Sequence, residues 1–241
     1  MTLQPHILVS ADQVSDKVVV CGEPARVDRI ATLLADVEFL AENREFRLLR
    51  GHFNGHNITV CSTGIGAPSA LIALEELVAC GAKQLVRVGS AGALQQHIDL
   101  GDLVIAEAAV RDEGGSHAYV GGNYPAYGDI GLTAKLIQHC QQQQLPYHSG
   151  VVRSHDSFYR DDELAICEQW HRKGVLAADM ETAALMTVGR LRGVQVAAIL
   201  ANVVRYQADV KAGVAEYVNA DQLLATAEQN AIKAALSALT A

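Results

Sequence analysis

One arginine, Arg87, stands between two valines at residues 86–88, and the small residues 89–92 follow it directly. A β-branched strand of this kind is normally buried on both faces, so its guanidinium needs an anionic partner to offset desolvation. Glycine and serine leave backbone N–H groups open to close approach by a phosphate. The segment predicts a strand, a turn and half of an anion site. A core strand whose Arg87 meets a structural carboxylate explains the same residues.

Two further loops join an apolar strand to a helix. Gly22 ends the first strand, Pro24 suits a first helical turn, and Arg26 follows, so an anion could meet N–H groups and a guanidinium there. Residues 62–69 form a second small-residue loop that matches neither the Walker P-loop nor the GxGxxG pattern. We interpret the first loop as either an anion site or a structural corner, and we predict a close backbone crossing at the second.

Three side chains late in the sequence carry further chemistry. Glu181 opens a helix after an apolar strand, where a carboxylate either complements the helix dipole or accepts two vicinal hydroxyls of a ribose. Phe158 follows a polar loop, and its ring suits either core packing or the face of a heterocycle. His155 has no Ser or Cys motif beside it that would indicate a nucleophilic triad, so we predict a structural role for it.

Composition excludes several classes of protein. With 241 residues, the chain is predicted to form a single domain over residues 1–241. A net charge of −8, from 19 basic and 27 acidic residues, argues against nucleic-acid binding. No apolar run reaches about 18 residues, so no membrane partner is expected. The five cysteines are dispersed and form no CxxC pair, which indicates a reduced, cytoplasmic enzyme without a zinc site or disulfides.

The pattern of apolar residues alternates between strand and helix periods. It predicts strands at residues 18–21, 46–53, 57–61, 85–88, 103–110, 150–153 and 194–204. It predicts helices at residues 26–34, 67–80, 132–143, 180–191 and 221–239, an Asn-Gly hairpin turn at residues 54–55 and a long loop at residues 114–127. Such alternation favours an α/β fold, here a three-layer α/β/α sandwich with a mixed, largely parallel central sheet.

In this order the segments resemble the nucleoside phosphorylase family, which contains uridine phosphorylase and the hexameric purine nucleoside phosphorylases. The resemblance runs from Gly22 to the region of Asn202, and its most specific parts are residues 61–69, residues 87–92 and residues 180–181. The uridine phosphorylase branch is the most similar overall. The resemblance implies an α/β/α sandwich, dimers whose pairs form a ring (a hexamer), and inorganic phosphate as a co-substrate with no cofactor and no metal.

The family's site residues carry over onto matching positions of this chain. The resemblance assigns phosphate binding to Gly22, Arg26, Arg44, Arg87 and Ser90, with Arg44 contributed by a neighbouring subunit. It assigns ribose binding to Met180, Glu181 and the neighbour's His6, and stacking on the base to Phe158. Phosphate would then stabilise and capture an oxocarbenium-like sugar, with Arg87 and Glu181 as catalytic residues, to give a free base and ribose 1-phosphate.

The sequence departs from the family where the base is read. The bacterial purine enzymes have an aspartate as general acid, whereas this chain has Asn202, which the uridine enzymes share. An amide can donate a hydrogen bond but cannot deliver a proton, so Asn202 serves as a catalytic and base-binding candidate and adenosine is disfavoured. The Gln and Arg that read uracil in the uridine pattern are absent, which leaves Arg160 and Arg205 as base-binding candidates.

Four functions therefore stay open from the sequence. Phosphorolysis of uridine is favoured by overall likeness, with a 6-oxopurine nucleoside such as inosine or guanosine as the alternative substrate. The presence of Arg26, Arg44 and Arg87 disfavours a nucleosidase, because an enzyme that hydrolyses its substrate needs no phosphate site. The same arginines, together with Glu181, disfavour a non-catalytic nucleoside-binding protein.

Overall fold

Strands and helices alternate through the part of the chain that the computed structural model describes, residues 2–207 and 222–241. There the strands are β1 (Lys17–Cys21), β2 (Ala35–Asn43), β3 (Phe46–Phe53), β4 (His56–Ser62), β5 (Gln84–Ala93), β6 (Leu103–Asp112), β7 (Ala126–Tyr127), β8 (Tyr147–His155), β9 (Ala177–Asp179) and β10 (Gln195–Val204). The α-helices are α1 (Pro24–Ala31), α2 (Ala67–Ala79), α3 (Ile130–Gln142), α4 (Glu163–His171), α5 (Thr182–Leu191) and α6 (Gln222–Thr240), and a 3₁₀ turn covers Ser116–Ala118.

All ten strands belong to one mixed sheet that is open on one side of β5 and closed on the other. The open part runs β2-β3-β4-β1-β5, with parallel pairing between β4, β1 and β5. Strand β5 also pairs with both β9 and β10, and the order β10-β6-β8-β9 completes a ring of five strands. The predicted α/β class and mixed sheet are confirmed, whereas nothing in the sequence pattern indicated the closure.

Helices cover both faces of the sheet. Along β1, Val18 and Val20 pack into the apolar cluster that contains the buried sides of α2 and α5. Their neighbours Val19 and Cys21 pack into the cluster formed with α1, α3 and α6. This alternation is the period-2 pattern of a strand buried on both sides, and it confirms the three predicted layers.

Several predicted boundaries were wrong for physical reasons. The turn predicted at residues 89–92 is a continuation of β5, since β10 and β9 pair with the strand there. Strand β2 escaped prediction because its residues are mostly exposed and lack alternation. Helix α4 escaped because none of its residues is buried. The predicted start of the last helix at Asp221 lies outside the described residues.

Two expectations from composition concern the whole fold. All five cysteines are unpaired, and four of them are buried. Within residues 2–207 and 222–241, no helix combines the length and the apolar character that a membrane crossing requires.

The contact between α5 and β10 gives a test of packing. A methyl group at Gly189 would lie 2.3 Å from Cγ2 of Val196, so Gly189→Ala forces two buried elements apart. We expect a loss of about 1–3 kcal/mol in the free energy of unfolding, measured by urea denaturation. Adding Val196→Ala to this variant should cost less than Val196→Ala costs alone, because it removes the clash. Strict additivity of the two changes would contradict this packing.

Candidate active site

The side chain of Arg87 lies at the centre of a buried polar cluster. It is 3% exposed on β5. Its Nε donates to Asp179 Oδ2 at 3.1 Å and its Nη2 donates to Glu181 Oε2 at 2.5 Å. Its Nη1 is buried and has no hydrogen-bond partner among the described residues. The structural interpretation is therefore confirmed, because carboxylates hold the guanidinium. The anion site stays a prediction, for which Nη1 is the remaining donor.

Gly89 makes room for this guanidinium. A Cβ atom at Gly89 would lie 2.7 Å from Nη2 of Arg87 and 2.6 Å from Cδ2 of Leu200. These distances are shorter than real Cβ contacts, so the Arg87 side chain can fold across the strand only because Gly89 has no side chain. Gly89 is therefore required by the Arg87 side chain, and it does not form a turn.

The two carboxylates are fixed by their own hydrogen bonds. Asp179 Oδ1 accepts from Ser154 Oγ at 2.5 Å, and its Oδ2 accepts from Thr182 Oγ1 at 2.6 Å. Glu181 Oε1 accepts from the backbone N–H of Gly66 at 2.6 Å. Burial raises the pKa of the Glu181 carboxyl, and the adjacent Arg87 guanidinium opposes this rise.

The two small-residue loops meet beside the cluster. The N–H of Thr63 donates to the carbonyl oxygen of Cys21 at 2.8 Å, which joins the loop at residues 62–69 to the end of β1 at Gly22. Gly64 has a φ of 70°, and a Cβ there would lie 2.7 Å from Cγ of Glu45. The predicted close backbone crossing is confirmed. The loop also positions a candidate residue, because the backbone N–H of Gly66 donates a hydrogen bond to Glu181.

The side chain of Arg26 reaches the strand that carries Arg87. It is 3% exposed, and its Nη1 donates to the carbonyl oxygen of Val88 at 3.0 Å. Its Nε donates to Glu228 Oε2 at 2.7 Å. That carboxylate also accepts from Arg29, so two guanidinium groups share one negative charge.

Other candidate residues lie on β5 or directly after β8 and β9. Ser90 on β5 and Met180 next to Glu181 are half-buried. Phe158 is half-buried in the loop after β8, with its ring 5.0 Å from that of Tyr159 in an edge-to-face arrangement.

Asn202, fully buried on β10, is oriented by its surroundings. Its Nδ2 donates to the carbonyl oxygen of Asp99 at 2.9 Å, which fixes the amide, since a carbonyl can only accept. Its Oδ1 is buried and has no partner among the described residues. The group that Asn202 leaves unsatisfied is therefore an acceptor, whereas the sequence analysis considered it as a donor.

Two sequence candidates lie away from the buried cluster. Arg160 is exposed and pairs with Asp162 at 2.9 Å within the same loop. Arg205 is exposed and pairs with Asp99 at 3.2 Å. Neither guanidinium takes part in the hydrogen bonds around Arg87.

The two residues assigned to a neighbouring subunit lie together on the surface. Arg44 is exposed at the turn between β2 and β3, with a φ of 56°. Next to it, Asn43 Nδ2 donates to the carbonyl oxygen of His6 at 2.8 Å. The His6 ring contacts Glu76, with Nδ1 2.6 Å from Oε1. One neighbouring molecule could thus receive both side chains.

A cavity of about 570 Å³ lies outside the cluster. It is lined by His6, Pro68, Glu76, Tyr119 and Asp156 among others, and neither Arg87 nor Glu181 lines it. Because Arg87 and Glu181 do not line this cavity, we assign the candidate chemistry to the Arg87 cluster.

A third buried arginine was missed by the sequence analysis. Arg153 on β8 is 0% exposed, and its Nε donates to Asp112 Oδ2 at 2.7 Å. Its Nη1 donates to Glu163 Oε1 at 2.6 Å. The signal was present, because an arginine directly after Val151 and Val152 is as unusual in a strand as Arg87 between two valines.

Comparisons with known proteins agree with this arrangement. The sequence model of the phosphorylase superfamily matches residues 16–238. The chain belongs to the phosphorylase superfamily. A crystal structure of uridine phosphorylase from Vibrio fischeri superimposes on it with a TM-score of 0.93 at 55% identity, covering 99% of this chain and 98% of that one.

Curated relatives of this superfamily member carry two kinds of name. Guanosine phosphorylase of Halorubrum lacusprofundi is 38% identical over 83% of this chain and 82% of its own length. Uridine phosphorylase of Thermococcus kodakarensis is 38% identical over 83% of this chain and 78% of its own length. The family predicted from the sequence motifs is confirmed.

The buried His155 on β8 gives the superfamily member a testable pH response. Burial lowers the pKa of its imidazole, and the charge of Arg153 lowers it further. The unfolded chain therefore binds this proton more readily than the folded protein, so the stability contribution is complete above about pH 6.5 and is lost as the pH falls. We expect His155→Gln to lose less melting temperature than the parent protein between about pH 7 and about pH 5.

The exposed His56 on β4 provides a matched control for this measurement. His56→Gln should follow the parent at both pH values in the same thermal melts. An equal loss of melting temperature in the parent and in His155→Gln would contradict the assignment.

Proposed function

We propose that the protein is a nucleoside phosphorylase that cleaves uridine reversibly to uracil and ribose 1-phosphate. The single observation that carries the proposal is the buried Arg87, which contacts Glu181 and keeps Nη1 unpaired. A donor with positive charge beside a carboxylate suits a phosphate next to a ribose. The uridine phosphorylases among the relatives support the choice of base.

In the proposed reaction, the bond between the ribose C1′ and the base breaks as positive charge develops on the sugar ring. An oxygen of inorganic phosphate attacks C1′, and the base leaves with the bonding electron pair and later gains a proton. Arg87 and Arg26 hold the phosphate together with Gly22, Ser90 and the neighbour's Arg44. Their positioning and charge supply the rate enhancement, because no covalent nucleophile takes part.

The remaining residues hold the nucleoside. Glu181 accepts hydrogen bonds from the ribose hydroxyls, next to Met180, and Phe158 stacks on the base. Asn202 is a further base-binding candidate. Arg160 and Arg205 are the other two, although both guanidinium groups form exposed ion pairs. The neighbour's His6 meets the 5′-hydroxyl. The proximity of His6 and Arg44 on one surface supports a dimer in which each subunit completes the other's site.

The finer features of the proposal follow the family resemblance. We propose a single domain, a hexamer built from dimers, a cytoplasmic location and a role in nucleoside salvage. Inorganic phosphate is the co-substrate, and no cofactor and no metal ion is required.

A 6-oxopurine nucleoside is the second candidate substrate. Guanosine phosphorylase is among the relatives, at the same identity as a uridine phosphorylase. The residues that read uracil in the uridine pattern are also missing after Phe158. Both observations favour keeping guanosine and inosine in the substrate panel.

The decisive assay incubates the purified protein with uridine, 2′-deoxyuridine, inosine, guanosine and adenosine, with and without inorganic phosphate. We expect uracil and ribose 1-phosphate from uridine only when phosphate is present. Arg87→Met should abolish the phosphate-dependent cleavage of uridine, while its circular dichroism spectrum stays that of the parent. Release of ribose without phosphate would instead identify a nucleosidase.

A second prediction concerns the ribose. Glu181→Gln removes a charged acceptor, so kcat/KM for uridine should fall by about tenfold or more and that for 2′-deoxyuridine by less. Glu75→Gln, in an exposed ion pair with Arg192, is the matched control and should leave both values unchanged. Equal losses on the two substrates would show that Glu181 does not hold the 2′-hydroxyl.

A further inference from the structure

Arg153 organises a further ion cluster, which has no role in the mechanism above. Its guanidinium joins three elements, because it lies on β8 and donates to Asp112 at the end of β6 and to Glu163 at the start of α4. The Arg153 side chain is 0% exposed and the Glu163 side chain is 20% exposed.

The Arg153–Glu163 pair is only half satisfied. It uses Nη1 of the arginine and Oε1 of the glutamate, at 2.6 Å. The other two atoms of the same groups, Nη2 and Oε2, are both buried and have no partner among the described residues. A buried charged group with an open hydrogen-bond position is costly, so a partner from outside the protein chain is expected there.

The pair and the candidate site share strand β8. In the strand register, Arg153 is paired with Ala178 on β9, which is also paired with Gly92 on β5. The next residue, Ser154, donates to Asp179 of the Arg87 cluster. The Arg153 side chain therefore leaves β8 on the opposite face, where it contacts Asp112 and Glu163. The chain between Arg153 and Glu163 carries Phe158, the candidate for stacking on the base.

The unsatisfied donor and the unsatisfied acceptor of this ion pair match a chemical group that presents both functions. The lactam edge of uracil, or of a 6-oxopurine, presents a carbonyl oxygen next to an N–H. We propose that Arg153 Nη2 donates to the carbonyl oxygen of the base and that Glu163 Oε2 accepts from the adjacent N–H. The Arg153–Glu163 pair then determines base specificity, in place of the Gln and Arg that the uridine pattern lacks here.

This assignment rests on the proposed function and names the part of the substrate that the pair recognises. The competing explanation is structural. Helix α4 has no buried residue, so the Arg153–Glu163 pair could serve only to tether this helix to the ring of five strands. The two explanations differ in substrate selectivity, because a tether cannot distinguish bases that differ only at the N–H position.

The test compares uridine with 3-methyluridine, in which a methyl group replaces that N–H. Glu163→Gln keeps the shape of the side chain and puts an amide donor in place of the acceptor Oε2. We expect kcat/KM for uridine to fall by about tenfold or more and that for 3-methyluridine to change little, so their ratio falls. Arg153→Met should lower kcat/KM for uridine through KM, with KM for phosphate unchanged.

Arg172→Met is the matched control, since Arg172 forms an exposed ion pair with Glu168 near the end of the same helix. It should leave the ratio at the parent value. If the parent prefers inosine, the same comparison uses 1-methylinosine.

The outcomes separate this inference from the proposed function. A parent protein without phosphate-dependent cleavage overturns the function itself. An active parent whose ratio is unchanged in Glu163→Gln overturns the inference and leaves a structural tether. Thermal melts of Glu163→Gln and Arg153→Met show whether they fold, and if Arg153→Met fails to fold, the Glu163→Gln ratio decides.

Discussion

The burial of the Arg87 guanidinium is the constraint on which the rest of the site depends. A buried charge in the ring of five strands has three requirements. Carboxylates must lie nearby, the strand must lack a side chain where the arginine side chain crosses it, and other groups must hold those carboxylates in place. Asp179 and Glu181 meet the first requirement and Gly89 the second. Ser154, Thr182 and the N–H of Gly66 meet the third. One interaction thus fixes β5, β8, β9, the start of α5 and the loop at residues 62–69 relative to one another.

The charges of this cluster support the proposal that a neighbouring subunit completes the site. With both carboxylates ionised, Arg87 neutralises only one of two negative charges, and a phosphate would add more. Arg26 lies beside the strand but shares Glu228 with Arg29. Additional positive charge from a neighbour's Arg44 would balance the anion, which makes assembly part of the proposed mechanism and not an accessory to it.

Sequence reasoning identified the residues whose chemistry conflicts with their surroundings, such as Arg87 within an apolar strand and Glu181 after one. It also gave most strands and helices with a buried face, because apolar periodicity reports burial. It missed α4 and β2, whose residues are mostly exposed, and the closure of the barrel, which depends on pairing between distant strands. Arg153 was missed although its sequence signal equals that of Arg87. Its partner Glu163 belongs to a helix that periodicity does not reveal.

The central claim is tested most directly by an experimental structure of the protein soaked with inorganic phosphate. The account predicts a phosphate oxygen at about 2.7–3.2 Å from Nη1 of Arg87, while Asp179 and Glu181 keep their contacts with Nε and Nη2. A phosphate bound elsewhere, with Nη1 still unpaired or hydrogen-bonded to a protein group, would contradict it.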